Sequence, residues 1–262
     1  MAERLPLAVP PSADGPKVRL GVLWFALLLA ATGVAPVALA VVLAAVAALA
    51  ADELLGLHDR HESTILRDPM RLPAMLVAAS LPLAATAGAA TLAGTAAVAT
   101  VVVLAHRVWS GPVGGAIEDV SLVLVAAVPL GLGASAPVLL TGFNRGSAIV
   151  LLVLVAAYDA GNFLVGTGAR SGWEGPFAGV VAVAVCGFGA WVVAPPPLVG
   201  HGVIALVVAT AVLAPFGAPA ASVLIGDAHR PARFVRRLDT LLLVGPVAAW
   251  AAAGVVATRV AS

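Results

Sequence analysis

Charge is scarce in this chain: 10% of its 262 residues are Asp, Glu, Lys or Arg, while 61% are hydrophobic. An average soluble domain carries about 25% charged residues, so this composition excludes the soluble globular class. A mean hydropathy of +1.08 points instead to a polytopic membrane protein. Cysteine is nearly absent as well. The single Cys186 lies inside an apolar run, which allows no intrachain disulfide and no thiolate metal cage, and it reads as a small buried hydrophobe. Net charge is only +1, and the arginines are dispersed in short loops, so nothing supports nucleic-acid binding. The longest polar stretches, Asp52–Arg71 and Gly217–Arg237, run to about 20 residues each, too short to hide a soluble domain.

What remains is apolar sequence in segments of membrane-crossing size. A helix needs about 20 residues to cross a hydrocarbon core of about 30 Å, and in lipid the backbone must satisfy its own polar groups as a helix. Apolar segments fall at roughly 20–34, 36–51, 72–88, 90–105, 119–140, 147–165, 176–194, 200–216 and 238–257. The expected fold is therefore an all-α bundle of about 8–9 transmembrane helices. Thr32-Gly33-Val34-Ala35-Pro36 interrupts the first apolar run and predicts a hairpin there. Residues 1–19, rich in Pro and charge, read as a disordered cytoplasmic tail rather than a cleaved signal peptide, and 20–262 as one transmembrane domain. The abundant small residues predict close helix packing. No repeat or inverted symmetry is evident beyond shared Ala/Val-rich composition.

Lys and Arg collect in cytoplasmic loops, which gives an independent test of topology. With the N-terminus inside, 12 of the 14 basic residues fall on the inner side, leaving Arg145 and Arg259 outside. All 13 acids also fall on the inner side or at inner helix ends. Any chemistry is thus expected at the cytoplasmic face of a cell inner (plasma) membrane.

Two polar clusters interrupt the apolar pattern. The first, Tyr158 to Gly179, places Asp159 about two turns before the end of the sixth segment, with Gly161 and Gly166 able to admit a loop or ligand and Glu174 just before the next helix. An acid at a helix centre costs about 2.5–3.5 kcal/mol on insertion scales, so it usually has a task. Asp159 can alternatively cap or pair at the interface, and Glu174 can serve as a partner of the next helix dipole. Pro176 suits the first helical position of that helix. Gly166 to Gly172 lacks the preceding strand and the Lys-Ser/Thr ending of a P-loop.

The second cluster, Gly226 to Thr240, carries Asp227, His229, four arginines and Asp239. It can be read as a loop for anionic headgroups, but an acid at the start of a span suits a metal or a helix dipole better. His201 and His229 are too scattered for a zinc site, and His58 and His61 lack a third ligand nearby.

At these clusters the chain resembles the phosphatidate cytidylyltransferase (CDP-diacylglycerol synthase) family. Asp159-Ala160-Gly161-Asn162-Phe163-Leu164-Val165-Gly166 is similar to that family's Asp-x-Gly-x-Tyr/Phe-x-x-Gly at a span end. Trp173-Glu174-Gly175 resembles the end of its Ser-Pro-Lys-Lys-Thr-x-Glu-Gly loop, and Arg236-Arg237-Leu238-Asp239-Thr240-Leu241-Leu242 its C-terminal Asp-Arg-x-Asp-Ser/Thr-Leu-Leu signature. Val244-Gly245-Pro246-Val247 and Glu53 are also family-like. The chain departs from the pattern where Arg236 replaces the first acid of the signature and where the preceding Lys-Asp and Pro-Gly-His-Gly-Gly elements are missing or contracted.

The resemblance implies transfer of CMP from CTP to phosphatidate with Mg²⁺ as cofactor. It implies Asp159, Glu174 and Asp239 as the acids of the site, Asp239 and Asp227 as metal ligands, and Arg170, Arg233 and Arg237 as phosphate contacts. Partners are then CTP, phosphatidate and membrane lipid, with a homodimer left open. A non-catalytic lipid-binding relative and an unrelated small-solute transporter are the alternatives; acids clustered at inner helix ends, with an outer half almost uncharged, argue against the transporter.

Overall fold

The structure is a computed structural model that describes residues 16–59, 70–110, 116–193, 198, 201–226 and 232–261. Among them every regular element is a helix: α1 (Pro16–Val34), α2 (Pro36–Asp59), α3 (Arg71–Ala85), α4 (Ala89–Ser110), α5 (Ala116–Phe143), α6 (Arg145–Gly166), α7 (Glu174–Val193), α8 (His201–Ile225) and α9 (Val235–Ala261). Each apolar segment of the sequence forms one of these helices. Six of them, α2 and α4 to α8, are long and apolar enough to cross a membrane, with 20 to 28 residues each. That makes the protein a multi-pass membrane protein. The other three fall short of the count of eight to nine. α3 has 15 residues, about 22 Å of helix, and α1 contributes an apolar stretch of only Arg19–Val34. α9 begins with Arg236, Arg237 and Asp239 inside its first turns.

The break at Ala35 is a single non-helical residue between α1 and α2. Gly21, near the start of α1, lies beside Arg237, and Glu53, near the end of α2, bonds the start of α9. The chain therefore reverses at Ala35, as the Gly-Pro break predicts. At the turn, Arg145 Nη1 donates to Gly33 O at 2.9 Å, so the start of α6 closes over the carbonyl end of α1. Basic groups favour that end of a helix, where carbonyls lack intrahelical partners.

α5 is the central helix, and α2, α3, α4, α6 and α9 pack around it. Its buried stretch Gly131, Gly133, Ala134, Ser135, Ala136 has almost no side-chain bulk, which lets its neighbours approach to backbone contact. A Cβ on Gly133 would lie 2.9 Å from Leu241 O of α9, and one on Gly245 of α9 would lie 2.8 Å from Gly133 O. α8 meets the same helix from another direction: a Cβ on Gly217 would lie 2.7 Å from Asp239 O and 2.8 Å from Thr240 Cα. The turn of α9 around Asp239 to Leu242 is thus seated on glycines of α5 and α8. Outward faces stay apolar, with Val101 and Trp109 of α4 and Phe177 and Phe188 of α7 all exposed, as a lipid-facing surface requires.

Among the described residues two ion pairs stand near helix ends. Arg71 Nε lies 2.8 Å from Asp52 Oδ1, tying α3 to α2, and Arg107 Nε lies 2.6 Å from Asp119 Oδ2, tying α4 to α5. Arg107 is buried, so its partner is needed to offset desolvation.

Packing at Gly217 gives a direct expectation. Gly217→Val should destabilise the bundle by about 1–3 kcal/mol, because the added carbons meet backbone that cannot move aside. Gly94→Ala, where nothing lies within 4 Å of the added carbon, should be neutral or slightly stabilising. Thermal unfolding in detergent of the two variants against the parent checks both signs.

Candidate functional site

Asp159 and Asp239 lie on different helices, 80 positions apart in sequence, and the structure brings them to one hydroxyl. Thr240 Oγ1 donates to Asp159 Oδ1 at 2.7 Å and lies 3.4 Å from Asp239 Oδ1. The two carboxylate oxygens are therefore separated by no more than the two legs together, about 6 Å. Thr240 N–H also donates to Asp239 Oδ1 at 2.7 Å, so residue 240 holds both acids with its two donors. Asp159 is open on its outer side, Asp239 half-buried and Thr240 buried beneath them.

Each acid is placed by its own helix. On α6 the residues flanking Asp159 are committed to α7: the Tyr158 ring lies over Gly179, and Gly161 is so close to α7 that a Cβ there would lie 2.7 Å from Ala178 O. Gly161 therefore serves helix packing and leaves no gap for a ligand. With Tyr158 and Gly161 turned to α7, Asp159 is free to face α9. On α9, Asp239 sits one turn into the helix, where the glycine seat of α8 brings its backbone close.

The start of α9 has an unusual cap. Arg236 N–H donates to Ala232 O at 3.1 Å, closing a turn just ahead of α9, and alanine has no side-chain acceptor for the N–H groups that follow. The orphan N–H groups of Arg233, Phe234 and Val235 donate instead to the Glu53 carboxylate of α2, at 2.6, 2.7 and 3.2 Å. An anion at a helix N-terminus is favoured by both the free donors and the dipole.

The remaining candidates are spread around this pair. Arg237 is half-buried beside α1, and its positive charge acts on both aspartates, while that of Arg236 acts on Asp239. Arg236 reaches to α8, donating to Ala218 O and Ser222 Oγ at 3.0 Å each. Arg233 is exposed, its backbone bound by Glu53. Arg170 is exposed on the α6–α7 loop. Glu174 is exposed in the first turn of α7, where Oε1 accepts from Ser171 N–H at 3.1 Å, so its described hydrogen bond closes its own loop. α7 starts at Glu174, with Trp173 O accepting from Phe177 N–H. Pro176 thus stands third in the helix rather than first, still among the positions whose N–H has no intrahelical acceptor. Asp227 lies outside the described residues.

Thr240 and the cap by Glu53 are the parts that sequence reasoning missed. Thr240 sits beside a flagged acid, and its donor capacity was a usable signal.

Chemically, two carboxylates within about 6 Å repel by about 3 kcal/mol at an effective dielectric near 20, so the arrangement draws positive charge. Among the described residues no group of three or more His, Cys, Asp or Glu gathers, which does not suit a tetrahedral zinc site. A pair of carboxylates does suit Mg²⁺, which is typically held by one or two carboxylates while substrate phosphates and water fill the remaining positions. Compared with family models and with curated proteins, the chain has no match.

Asp239→Asn removes one of two repelling charges, whereas Thr240→Val removes the shared donor. In cation-free buffer the first variant should melt no lower than the parent and the second should melt lower, with a loss of about 1 kcal/mol expected for a hydrogen bond to a partly open group. Thermal melts of the two purified variants decide between this reading and one in which Asp239 is itself a structural anchor.

Proposed function

We infer that the chain is a membrane-embedded cytidylyltransferase-like protein that moves CMP from CTP to phosphatidate, giving CDP-diacylglycerol for phospholipid synthesis, at a reduced rate. The observation that carries this reading is the meeting of Asp159 and Asp239 at one hydroxyl beside Arg237, since these are the residues that the family resemblance marks. It is supported further by the one-sided clustering of charge at the ends of α2, α6 and α9.

In the proposed reaction a phosphate oxygen of phosphatidate attacks the α-phosphorus of CTP. The bond from that phosphorus to the bridging oxygen breaks, and pyrophosphate leaves. The lipid supplies the nucleophile, so no side chain has to. Mg²⁺, when bound, neutralises charge on the triphosphate and the leaving pyrophosphate. Asp159 and Asp239 would hold it, with Asp227, which precedes α9 in the sequence, as a further ligand. Arg237 is placed to meet phosphate, because a guanidinium offers a bidentate fork to its oxygens. Arg170 and Arg233 are candidates for the outer phosphates, and Glu174 for the rim.

Arg236 favours a second reading. Where the family has an acid, this residue binds α8 through Ala218 O and Ser222 Oγ and brings positive charge toward Asp239. Such a site holds a cation less well, which fits a lipid-binding relative without turnover. Purified protein with labelled CTP, phosphatidate and Mg²⁺ separates the two. Slow formation of a lipid-linked nucleotide, with a high Mg²⁺ requirement and complete loss in Asp239→Asn, is the expected outcome. Transfer that survives Asp239→Asn would place the chemistry elsewhere, and bound phosphatidate without transfer would favour the second reading.

Topologically, we place the N-terminus in the cytoplasm of an inner (plasma) membrane protein with α1, α3 and α9 adding to the six long spans. Single cysteines in a Cys186→Ala background should label from the cytoplasmic side at position 170 and from the opposite side at position 145. Outside labelling at 170 would invert the orientation.

A further inference from the structure

Helix α9 carries Asp239 and Thr240, and it is set into the apolar core by Leu238, Leu241 and Val244 as well as by close glycine contacts. Gly133 of α5 and Gly217 of α8 let it approach to backbone contact, and Gly245 on its own side does the same. Glycine contacts allow closeness, and dispersion is weakly directional beside hydrogen bonds to fixed acceptors. Ala232, whose C=O closes the turn ahead of α9, offers no side-chain acceptor either. Directional bonds reach the start of α9 from two helices: Arg236 donates to Ala218 O and Ser222 Oγ of α8 through a long, flexible side chain, whereas the backbone N–H groups of Arg233, Phe234 and Val235 donate directly to the Glu53 carboxylate of α2, charge-assisted and across 180 to 182 positions of sequence. Thr240 lies about 10 Å further along the same helix, so any axial shift at the cap is passed rigidly to the Thr240 hydroxyl.

We propose that Glu53 is a positioning residue that sets the axial register of α9, so that Thr240 and Asp239 meet Asp159. Its consequence for turnover rests on the cytidylyltransferase reading above; its consequence for register does not. A cap and a register pin differ in one respect: a cap can be replaced locally, whereas a pin must come from another helix. Ala232→Ser supplies a local acceptor for the same orphan N–H groups. It should restore the first turn of α9 in a Glu53→Ala chain without restoring its height against α6.

The test uses the full-length chain in detergent with Cys186→Ala. Cysteines replace Asp159 and Thr240, and a short bifunctional thiol reagent reports whether the two positions are adjacent. Cross-linking should be fast with Glu53 present, at least about tenfold slower in Glu53→Ala, and equally slow in Glu53→Ala with Ala232→Ser, since a displacement of about 1 Å is already costly for bond-forming geometry. Glu53→Gln, which keeps an acceptor oxygen, should fall between these limits, and it replaces Glu53→Ala if that variant does not accumulate. In the chain with native Asp159 and Thr240, Glu53→Ala should lower kcat with little change in KM for CTP, and Ala232→Ser alone should leave the rate unchanged. Cross-linking unaffected by Glu53→Ala, or by Glu53→Gln in its place, overturns the proposal, as does full recovery by Ala232→Ser, which would make Glu53 only a cap. A parent that shows no nucleotide transfer, but whose cross-linking depends on Glu53, instead overturns the functional reading and leaves the register pin standing.

Discussion

Three backbone N–H groups at the start of α9 take their acceptor from α2, and the arrangement of the site depends on that bond. A helix leaves its first N–H groups without intrahelical partners, and Ala232 in the turn ahead of α9 has no side-chain acceptor to give. Glu53 supplies all three acceptances within 2.6 to 3.2 Å. With the first turn fixed, Asp239 and Thr240 follow at positions set by helical rise, and Asp159 on α6 finds the Thr240 hydroxyl at 2.7 Å.

The same division of labour runs through the bundle. Between helices, contacts of Gly131, Gly133, Gly161, Gly217 and Gly245 bring backbones together, which maximises dispersion in a medium where water exclusion does not drive association. At helix ends, polar groups set direction: Asp52 with Arg71, Arg107 with Asp119, and Arg145 with the carbonyl end of α1. Close approach and register thus have separate causes. The aspartate pair is the exception that both serve, held by a hydroxyl from one helix and brought near by glycines of others.

Much of the helical layout was legible in the sequence because each apolar run is bounded by Gly, Pro or charge, and all nine runs became helices. The meeting of Asp159 and Asp239 was legible for a related reason: isolated acids in apolar segments are costly, so they converge. Other features were hidden. Glu53 capping α9 is a tertiary contact across 180 positions, and no local pattern encodes it. Gly161 looked like room for a ligand, but whether a glycine faces a ligand or a neighbouring helix depends on packing angle, and here α7 takes the space. Glu174 could serve the site or the dipole of the next helix, and it stands in the first turn of α7 with its bond to Ser171 N–H falling within three residues. The membrane-spanning character of α1, α3 and α9 lies at the margin of length and charge, where composition alone does not decide.

The proposed function requires Asp159 and Asp239 to form one cation site completed by the phosphates of a nucleotide. Titration of Mn²⁺ into the purified protein, followed by electron paramagnetic resonance with and without CTP, tests it most directly. The account predicts weak binding by the protein alone, tightening when CTP is present, and loss of that tightening in either Asp159→Asn or Asp239→Asn. Binding that is unchanged in both variants, or that does not respond to CTP, would contradict it.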